Sequence, residues 1–437
     1  CVLVNTCTFI APAREESIEA VLDACDPVRT AGGRDTARPV VVMGCMAERY
    51  GAELAESIPE AAAVVGFGSY TRLPDIVARA IAGQPAAPAP PPDHTQDDRP
   101  ARRGLPLLGA APAGPAAPPT AAFPVRTIPR GPWAYLKIAG GCDRVCTFCA
   151  IPSFRGRFNS RPLEELQAEV RWLVDQGVRE LVCVSENTTS CGKDLKGKDL
   201  KGGDMPGGRQ SQADLVAMFD AVEQLEMVRL MYLQPAEITP VLLEAMAAST
   251  TVVPYYDLSL QHASAPVLDR MARSGSPERF LGLIEGIRRR TSDAVFRSSF
   301  ITGFPGETEE DVQILCDFID AAGLDWAGVF TYSAEDGTPA ATMDGQIPDD
   351  EARARAEAIT QVVEAVAQER ADAFIGRHLE VLVEGREPDG VAVGRSYREA
   401  PETDGEIRVA GLDTPVGRMA PVTIIDTDGI DLIGMPA

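Results

Sequence analysis

The apolar positions of this 437-residue chain change their period several times from end to end. Over residues 1–82, short apolar runs at Val2–Val4 and Val40–Met43 alternate with Ala13–Ala24 and Tyr50–Ile58, where apolar residues recur three and four apart. The runs predict strands and the spaced segments predict helices, which together make an α/β domain. From Trp133 the alternation lengthens. Strand-like runs at Tyr135–Ile138, Glu180–Ser185, Val228–Tyr232, Tyr255–Leu260, Val295–Thr302 and Trp326–Tyr332 are separated by helical patterns such as Leu163–Gln176. This alternation implies parallel βαβ units in an open or closed barrel, with chemistry at the C-terminal strand ends. Glu351–Phe374 reads as a helix, started by Pro348, Asp349 and Asp350, whose acids suit a helix N-terminus. After Gly376 come short alternating strands at Leu379–Val383, Val391–Val393, Glu406–Val409, Pro421–Ile425 and Asp431–Ile433, the pattern of a small β-barrel.

Two stretches interrupt the periodicity. Residues 83–127 are rich in Ala and Pro, which cannot build a core and make an extended linker. Residues 191–212 look inserted: Lys-Asp-Leu-Lys-Gly occurs twice in tandem, at 193–197 and 198–202. Loops tolerate such expansion, so no catalytic role is assigned to it. The resulting domains are 1–82, the linker 83–127, a barrel domain with its connecting helix at 128–375, and a small β-barrel at 376–437.

Composition narrows the partners. The formal charge of −23 and the pI near 4.6 argue against a general nucleic-acid binder, which shows a basic stripe. An acidic surface suits a basic protein partner better. No uninterrupted apolar run approaches the length of a membrane span. No signal peptide is visible and the ten cysteines are unevenly grouped, which reads as a reducing cytoplasm with thiolates used for metal. The chain begins at Cys1 inside a strand-like run, so it is expected to lack its natural start.

The cysteines carry the chemistry. Gly-Gly-Cys-Asp-Arg-Val-Cys-Thr-Phe-Cys places Cys142, Cys146 and Cys149 in a Cys-x3-Cys-x2-Cys array. Three thiolates hold three corners of a four-iron cluster and leave the fourth iron open to a substrate. A structural zinc would want a fourth ligand close by, and this run has none. Cys7 and Cys45 each follow an apolar run, at the strand ends where an α/β sheet gathers ligands. Either alone reads as a buried thiol. Cys25, Cys183, Cys191 and Cys316 have no partner spacing and read as ordinary thiols. Gly303-Phe-Pro-Gly-Glu-Thr lacks the spacing and lysine of a phosphate loop and reads as a strand-to-helix turn.

The array with its internal Phe148 resembles the radical S-adenosylmethionine superfamily. Residues 135–156, Ser-Arg-Pro at 160–162, Val-Ser-Glu-Asn-Thr-Thr-Ser at 184–190 and Phe-Ile-Thr-Gly-Phe-Pro-Gly-Glu-Thr-Glu-Glu-Asp at 300–311 narrow the resemblance to its methylthiotransferase branch. That resemblance implies an α/β fold: a partial (β/α) radical barrel, an N-terminal flavodoxin-like domain and a C-terminal TRAM β-barrel. It implies two [4Fe-4S] clusters and S-adenosyl-L-methionine. The open iron held by Cys142, Cys146 and Cys149 chelates the cofactor, and one electron releases a 5′-deoxyadenosyl radical. The auxiliary cluster takes three cysteines, of which Cys7 and Cys45 match. The family's remaining ligand, in a Leu-Gly-Cys segment, has no counterpart here, and Cys1 is a poor substitute. Either the sequence is truncated or the second cluster is incomplete, and cofactor cleavage is expected to survive more readily than sulfur transfer. By position, Phe148 is assigned to the adenine. Glu186 and Asn187 go to the amino group, and Gln261, Arg297 and Ser299 to the ribose and carboxylate. His262 reads as a structural histidine, since the radical step needs no acid or base.

Two branches differ in substrate. One, of MiaB type, modifies an isopentenylated adenosine of transfer RNA. The other, of RimO type, modifies the β-carbon of an aspartate in small-subunit ribosomal protein twelve. Ile-Pro-Ser-Phe-Arg-Gly at 151–156 and Tyr-Leu-Gln-Pro-Ala-Glu at 232–237 resemble the RimO type. From Gly376 on, acidic residues outnumber basic ones twelve to six. That is the wrong sign for phosphate neutralisation and the right one for a basic ribosomal protein. The expected partners are therefore that protein and an electron donor, with no membrane. The alternatives are a transfer-RNA methylthiotransferase and a non-catalytic iron–sulfur or RNA-binding protein on a worn radical scaffold.

Overall fold

The computed structural model describes residues 1–26, 38–84, 128–195 and 211–437, with the backbone of 28–29 and 35–36. Most of the Ala/Pro stretch and the second copy of the tandem repeat lie outside the described residues. The chain divides into two compact units. The first joins the N-terminal α/β region with Gly141–Arg157 and Ser333–Thr342; the second holds Val125–Gly140, Phe158–Tyr332 and Met343–Ala437.

In the first unit, β1 (Val2–Thr6), β2 (Val40–Gly44) and β3 (Ala63–Val65) form a parallel sheet in that order. Val40, Val41 and Val42 are all buried, as a central parallel strand requires. Val40 and Val42 pack with Val21 of α1 (Ala11–Cys25) and with Met46 and Leu54 of α2 (Cys45–Ser57). Val41 packs on the other face with Ile76 and Ala80 of α3 (Leu73–Ile81). Periodicity predicts α2 from Tyr50, but the helix begins at Cys45. Tyr50 itself is non-helical (φ −123°, ψ 22°), so the first turn has a different phase from the segment the pattern reveals.

The second unit is built on six parallel strands: β4 (Trp133–Lys137), β5 (Glu180–Val184), β6 (Met227–Leu233), β7 (Val252–Gln261), β8 (Val295–Thr302) and β9 (Trp326–Thr331). Each pairs with the next in sequence, so the sheet is an open, partial barrel. Leu181, Leu230, Leu258 and Phe296 bury one face against helices that include Leu163–Asp175, Pro277–Arg288 and Glu309–Ala322. On the other face, Val182, Met227, Met231, Tyr255, Val295 and Trp326 pack with Leu382 and Ala400. Those two residues belong to the C-terminal region, where β10 (His378–Arg386), β11 (Ala392–Arg395), β12 (Ile407–Val409), β13 (Met419–Asp428) and β14 (Asp431–Pro436) close into a barrel. Closure leaves no unpaired strand edge. Each of the five expected strands is present, several of them longer than the alternating pattern alone indicates. No helix among the described residues is long and apolar enough to cross a membrane.

The turn at Gly303–Thr308 is a strand-to-helix connection, as its sequence predicts. Glu307 folds back into it, accepting from the Thr302 hydroxyl at 2.8 Å and from Arg355 at 3.0 Å. Thr308 and Asp311 then cap the helix Glu309–Ala322 reciprocally.

Candidate functional site

The cysteine array lies in the first unit. Cys142, Cys146 and Cys149 are all half-buried, and none of the ten cysteines is in a disulfide. The Cys149 amide donates to the Cys146 carbonyl at 3.2 Å, so the last two ligands share one tight turn. The Cys142 amide donates to the Gly156 carbonyl at 3.1 Å and ties the loop at its base. Gly141 is required there. Its φ is +75°, and a Cβ would stand 2.1 Å from the Arg157 carbonyl oxygen. Among the described residues no three His, Cys, Asp or Glu side chains form a single-ion site. Three soft sulfur donors on one loop are the donor set of an iron–sulfur cluster. Phe148 sits half-buried between the second and third cysteines.

The same unit contains Cys7 and Cys45. Thr6 pairs with Gly44 in the sheet register, so the two cysteines are the next residues of adjacent parallel strands. Gly44 makes the turn into α2: its φ is 101°, and a Cβ would meet the Thr6 carbonyl oxygen at 2.4 Å. The Cys7 amide donates to Ser17 Oγ at 2.9 Å, while Cys7 Sγ accepts from the Phe9 amide at 3.5 Å. Cys45 Sγ accepts from Arg155 Nη2 at 2.9 Å. Glu335 anchors the segment Ser333–Thr342 in this unit through ion pairs with Arg14 and Arg49. The Ala340 amide in turn donates to the Thr147 carbonyl, within the cysteine array, at 3.0 Å.

The remaining predicted contacts lie in the second unit: Glu186, Asn187 and Gln261 at or just past C-terminal strand ends, Arg297 and Ser299 within β8. Glu186, just past β5, is half-buried. Asn187 beside it is engaged in the turn: its amide donates to Ser190 at 3.0 Å and Glu237 at 3.1 Å, and its carbonyl accepts from Thr189 at 2.6 Å. Gln261 ends β7 with φ 75°, and Tyr232 has φ 60° near the end of β6. Two non-glycine residues in the left-handed region at neighbouring strand ends cost about 1–3 kcal/mol each, a strain that clusters at functional sites. Arg297 on β8 pairs with Asp257 at 3.1 Å and lies 3.6 Å from Asp404 of the C-terminal region. Asp257 also accepts the Tyr232 amide at 2.9 Å. Ser299, two residues along, pairs with Gly328 in the register of β9, where the Phe330 ring lies against the glycine.

The other thiols and the histidine behave as structural groups. Burial raises the Cys183 thiol well above its ordinary value and pushes Cys191 up to about 12, so both stay protonated. Cys25 and Cys316 are raised as well, first by burial. His262 is fully buried, and its Nδ1 accepts from the Ser264 amide at 2.9 Å. Burial lowers it to about 4, so it is neutral at neutral pH.

Sequence reading passed over Arg155, Glu335 and Asp404. Each acts on a residue far away in the chain, and neither spacing nor periodicity records such a contact. The nearest signal was Arg155 itself, inside the Ile-Pro-Ser-Phe-Arg-Gly run.

Comparison with known proteins agrees with this architecture. Residues 136–319 match the Radical SAM superfamily, 375–436 the TRAM domain, and 1–66 a family described as Uncharacterized protein family UPF0004. The ribosomal protein uS12 methylthiotransferase RimO of Kineococcus radiotolerans is 46% identical over 99% of this chain and 89% of its own length. The enzyme of that name from Nocardioides sp. is 46% identical over 100% of this chain and 89% of its own. That of Cutibacterium acnes is 43% identical over 100% and 90%. With such relatives across essentially its whole length, the chain belongs to the radical S-adenosylmethionine methylthiotransferase family, in its RimO branch.

Proposed function

We propose that this chain transfers a methylthio group to the β-carbon of an aspartate in ribosomal protein uS12. The observation that carries the reading is the grouping of the array Cys142, Cys146 and Cys149 with the strand-end cysteines Cys7 and Cys45 in one compact unit. In this reading the array holds the [4Fe-4S] cluster that binds S-adenosylmethionine, and Cys7 and Cys45 ligate a second cluster where sulfur is handled. When bound, the cofactor and cluster supply the one-electron chemistry that makes an unactivated C–H bond reactive.

The chain's own residues bind and orient. Glu186 is the carboxylate for the cofactor's ammonium, and Arg297 is the cation for its carboxylate. Gln261 and Ser299 serve the ribose, and Phe148 packs on the adenine. Asn187 stands beside Glu186 for the same ammonium, its side-chain amide engaged with Ser190 and Glu237. Arg297 arrives pre-set by Asp257, so little side-chain freedom is lost on binding.

The C-terminal barrel supports a protein partner. Two of its six arginines, Arg395 and Arg398, are buried in ion pairs with Glu180 and Glu399. Twelve acidic residues against six arginines leave the region acidic as a whole, which suits a basic ribosomal protein. An electron donor completes the set of partners, and the cytoplasm, where ribosomes are met, is the compartment. The direct test is anaerobic reconstitution with iron, sulfide and reductant. Formation of 5′-deoxyadenosine supports catalysis, and its absence from fully loaded protein refutes it.

A further inference from the structure

The C-terminal region covers only part of the inner face of the six-stranded sheet. Met227, Met231 and Tyr255 are buried there beneath Leu382 and Ala400. Two tyrosines of the same face stay open, Tyr135 at 38% and Tyr232 at 44% exposure. Ala134 and Leu136 pack on the helix side of β4, so Tyr135 between them takes the inner face. On β6 the alternation is reset. Met231 packs inward and Leu233 on the helix side, with a register shift between Leu230 and Leu233 and a φ of 60° at Tyr232. Such an irregularity re-aims a side chain. Burial first, then the charge of Asp257, holds the Tyr232 phenol above its ordinary value; Arg297 and Glu186 lie within its electrostatic reach.

Glu402 meets these rings from the segment between β11 and β12. It is exposed, and its φ of 64° is a strained conformation for a residue with a side chain. Its Oε2 accepts from the Tyr135 hydroxyl at 2.9 Å. Burial and then this bond raise the Tyr135 phenol, so the hydroxyl stays a donor; Tyr232 is close enough to add to the same shift. An oriented carboxylate thus stands beside two open aromatic rings. Arg297 does not cancel it, being paired with Asp257 at 3.1 Å.

We propose that Tyr135, Tyr232 and Glu402 form a subsite for a cationic side chain, Lys or Arg, of the substrate polypeptide, beside the aspartate that reacts. The proposal rests on the reading of uS12 as the substrate. The ring faces attract a cation, and the carboxylate supplies counter-charge and a hydrogen-bond acceptor. The Tyr135 hydroxyl holds that carboxylate in one orientation, which lowers the ordering cost of binding. A phosphate brought to the same place would meet like charge.

The test measures KM and kcat for methylthio transfer to uS12 by reconstituted full-length enzyme. Glu402→Gln is expected to raise KM about tenfold with kcat little changed, the mark of lost ground-state binding, and Glu402→Lys to raise it further. Glu380→Gln, which removes the same charge from an exposed position on β10, is expected to keep the wild-type KM. Each Lys and Arg beside the modified aspartate of uS12 is then changed to Gln in turn. One of these changes should raise KM with the wild type but no further with Glu402→Gln. An unchanged KM in Glu402→Gln, or an equal rise in Glu402→Gln and Glu380→Gln, would overturn the subsite and leave uS12 as the substrate. No modification of uS12 by the wild type would overturn both.

Discussion

Glu180 and Arg395 meet at 2.6 Å in the interior of the second unit, with the Glu180 carboxylate wholly out of solvent. Glu180 opens β5 of the parallel sheet, and Arg395 closes β11 of the C-terminal barrel. Arg229 reaches the same carboxylate at 2.7 Å and donates to the Tyr397 carbonyl at 2.6 Å. One carboxylate thus ties the barrel segment 395–399 to the sheet.

Replacing Glu180 with Ala leaves two buried guanidiniums without their shared counter-charge. The expected cost is about 3–5 kcal/mol, read as a lower urea midpoint. Burial opposes ionisation of Glu180, but Arg229 and Arg395 outweigh it and hold the carboxyl below its ordinary range. A lowered carboxylate stabilises the fold above its unfolded value, and that contribution is lost as pH falls through the folded one. Acid unfolding of the wild type should therefore set in below the ordinary carboxylate range. The Glu180→Ala variant should lose this feature; an unchanged urea midpoint would show that the triad contributes nothing net.

Asp404 should behave with the opposite sign. Burial pushes its carboxyl up to about 6, despite the Tyr255 hydroxyl at 2.5 Å and Arg297 nearby. Between its ordinary value and about 6 the folded state holds a proton that the unfolded state has released, so stability falls as pH rises. The penalty is complete above about 6 and amounts to about 3 kcal/mol at most. Asp404→Asn should flatten the melting temperature between about pH 4 and 6. A variant with the wild-type slope there would remove Asp404 as the source.

Gly141→Ala tests the loop that carries the array. A Cβ 2.1 Å from the Arg157 carbonyl, at φ +75°, cannot be accommodated without moving the base of the loop. About 1–3 kcal/mol of strain is expected, together with reduced iron and visible absorbance after reconstitution. Gly51→Ala is the control, since nothing lies within 4 Å of its Cβ and its φ is ordinary. Equal iron loading in the two variants would show that the loop adapts.

Much of this fold is legible in sequence because its signals are local. Val295–Thr302 matches the predicted strand residue for residue, apolar at both ends and followed by Gly303. The array Cys142–Cys149 is legible for the same reason, since three ligands on one short loop leave a spacing. Helix α2 is half legible, because Tyr50 breaks its phase. Arg155 and Cys45 are 110 residues apart and leave no pattern at all. The same holds for Arg297 with Asp404, joined only when the C-terminal region packs on the sheet. Asn187 marks another limit: its type suits a ligand, but only coordinates show its amide already bonded to Ser190 and Glu237.

The central claim is that this enzyme modifies a protein aspartate. Mass spectrometry of ribosomal protein uS12 and of transfer RNA, each incubated with the reconstituted full-length enzyme, S-adenosylmethionine, sulfide and reductant, tests it most directly. A methylthio group on one uS12 aspartate, absent from RNA and lost in Cys146→Ala, is the predicted result. A methylthio group on transfer RNA with uS12 unmodified would contradict it.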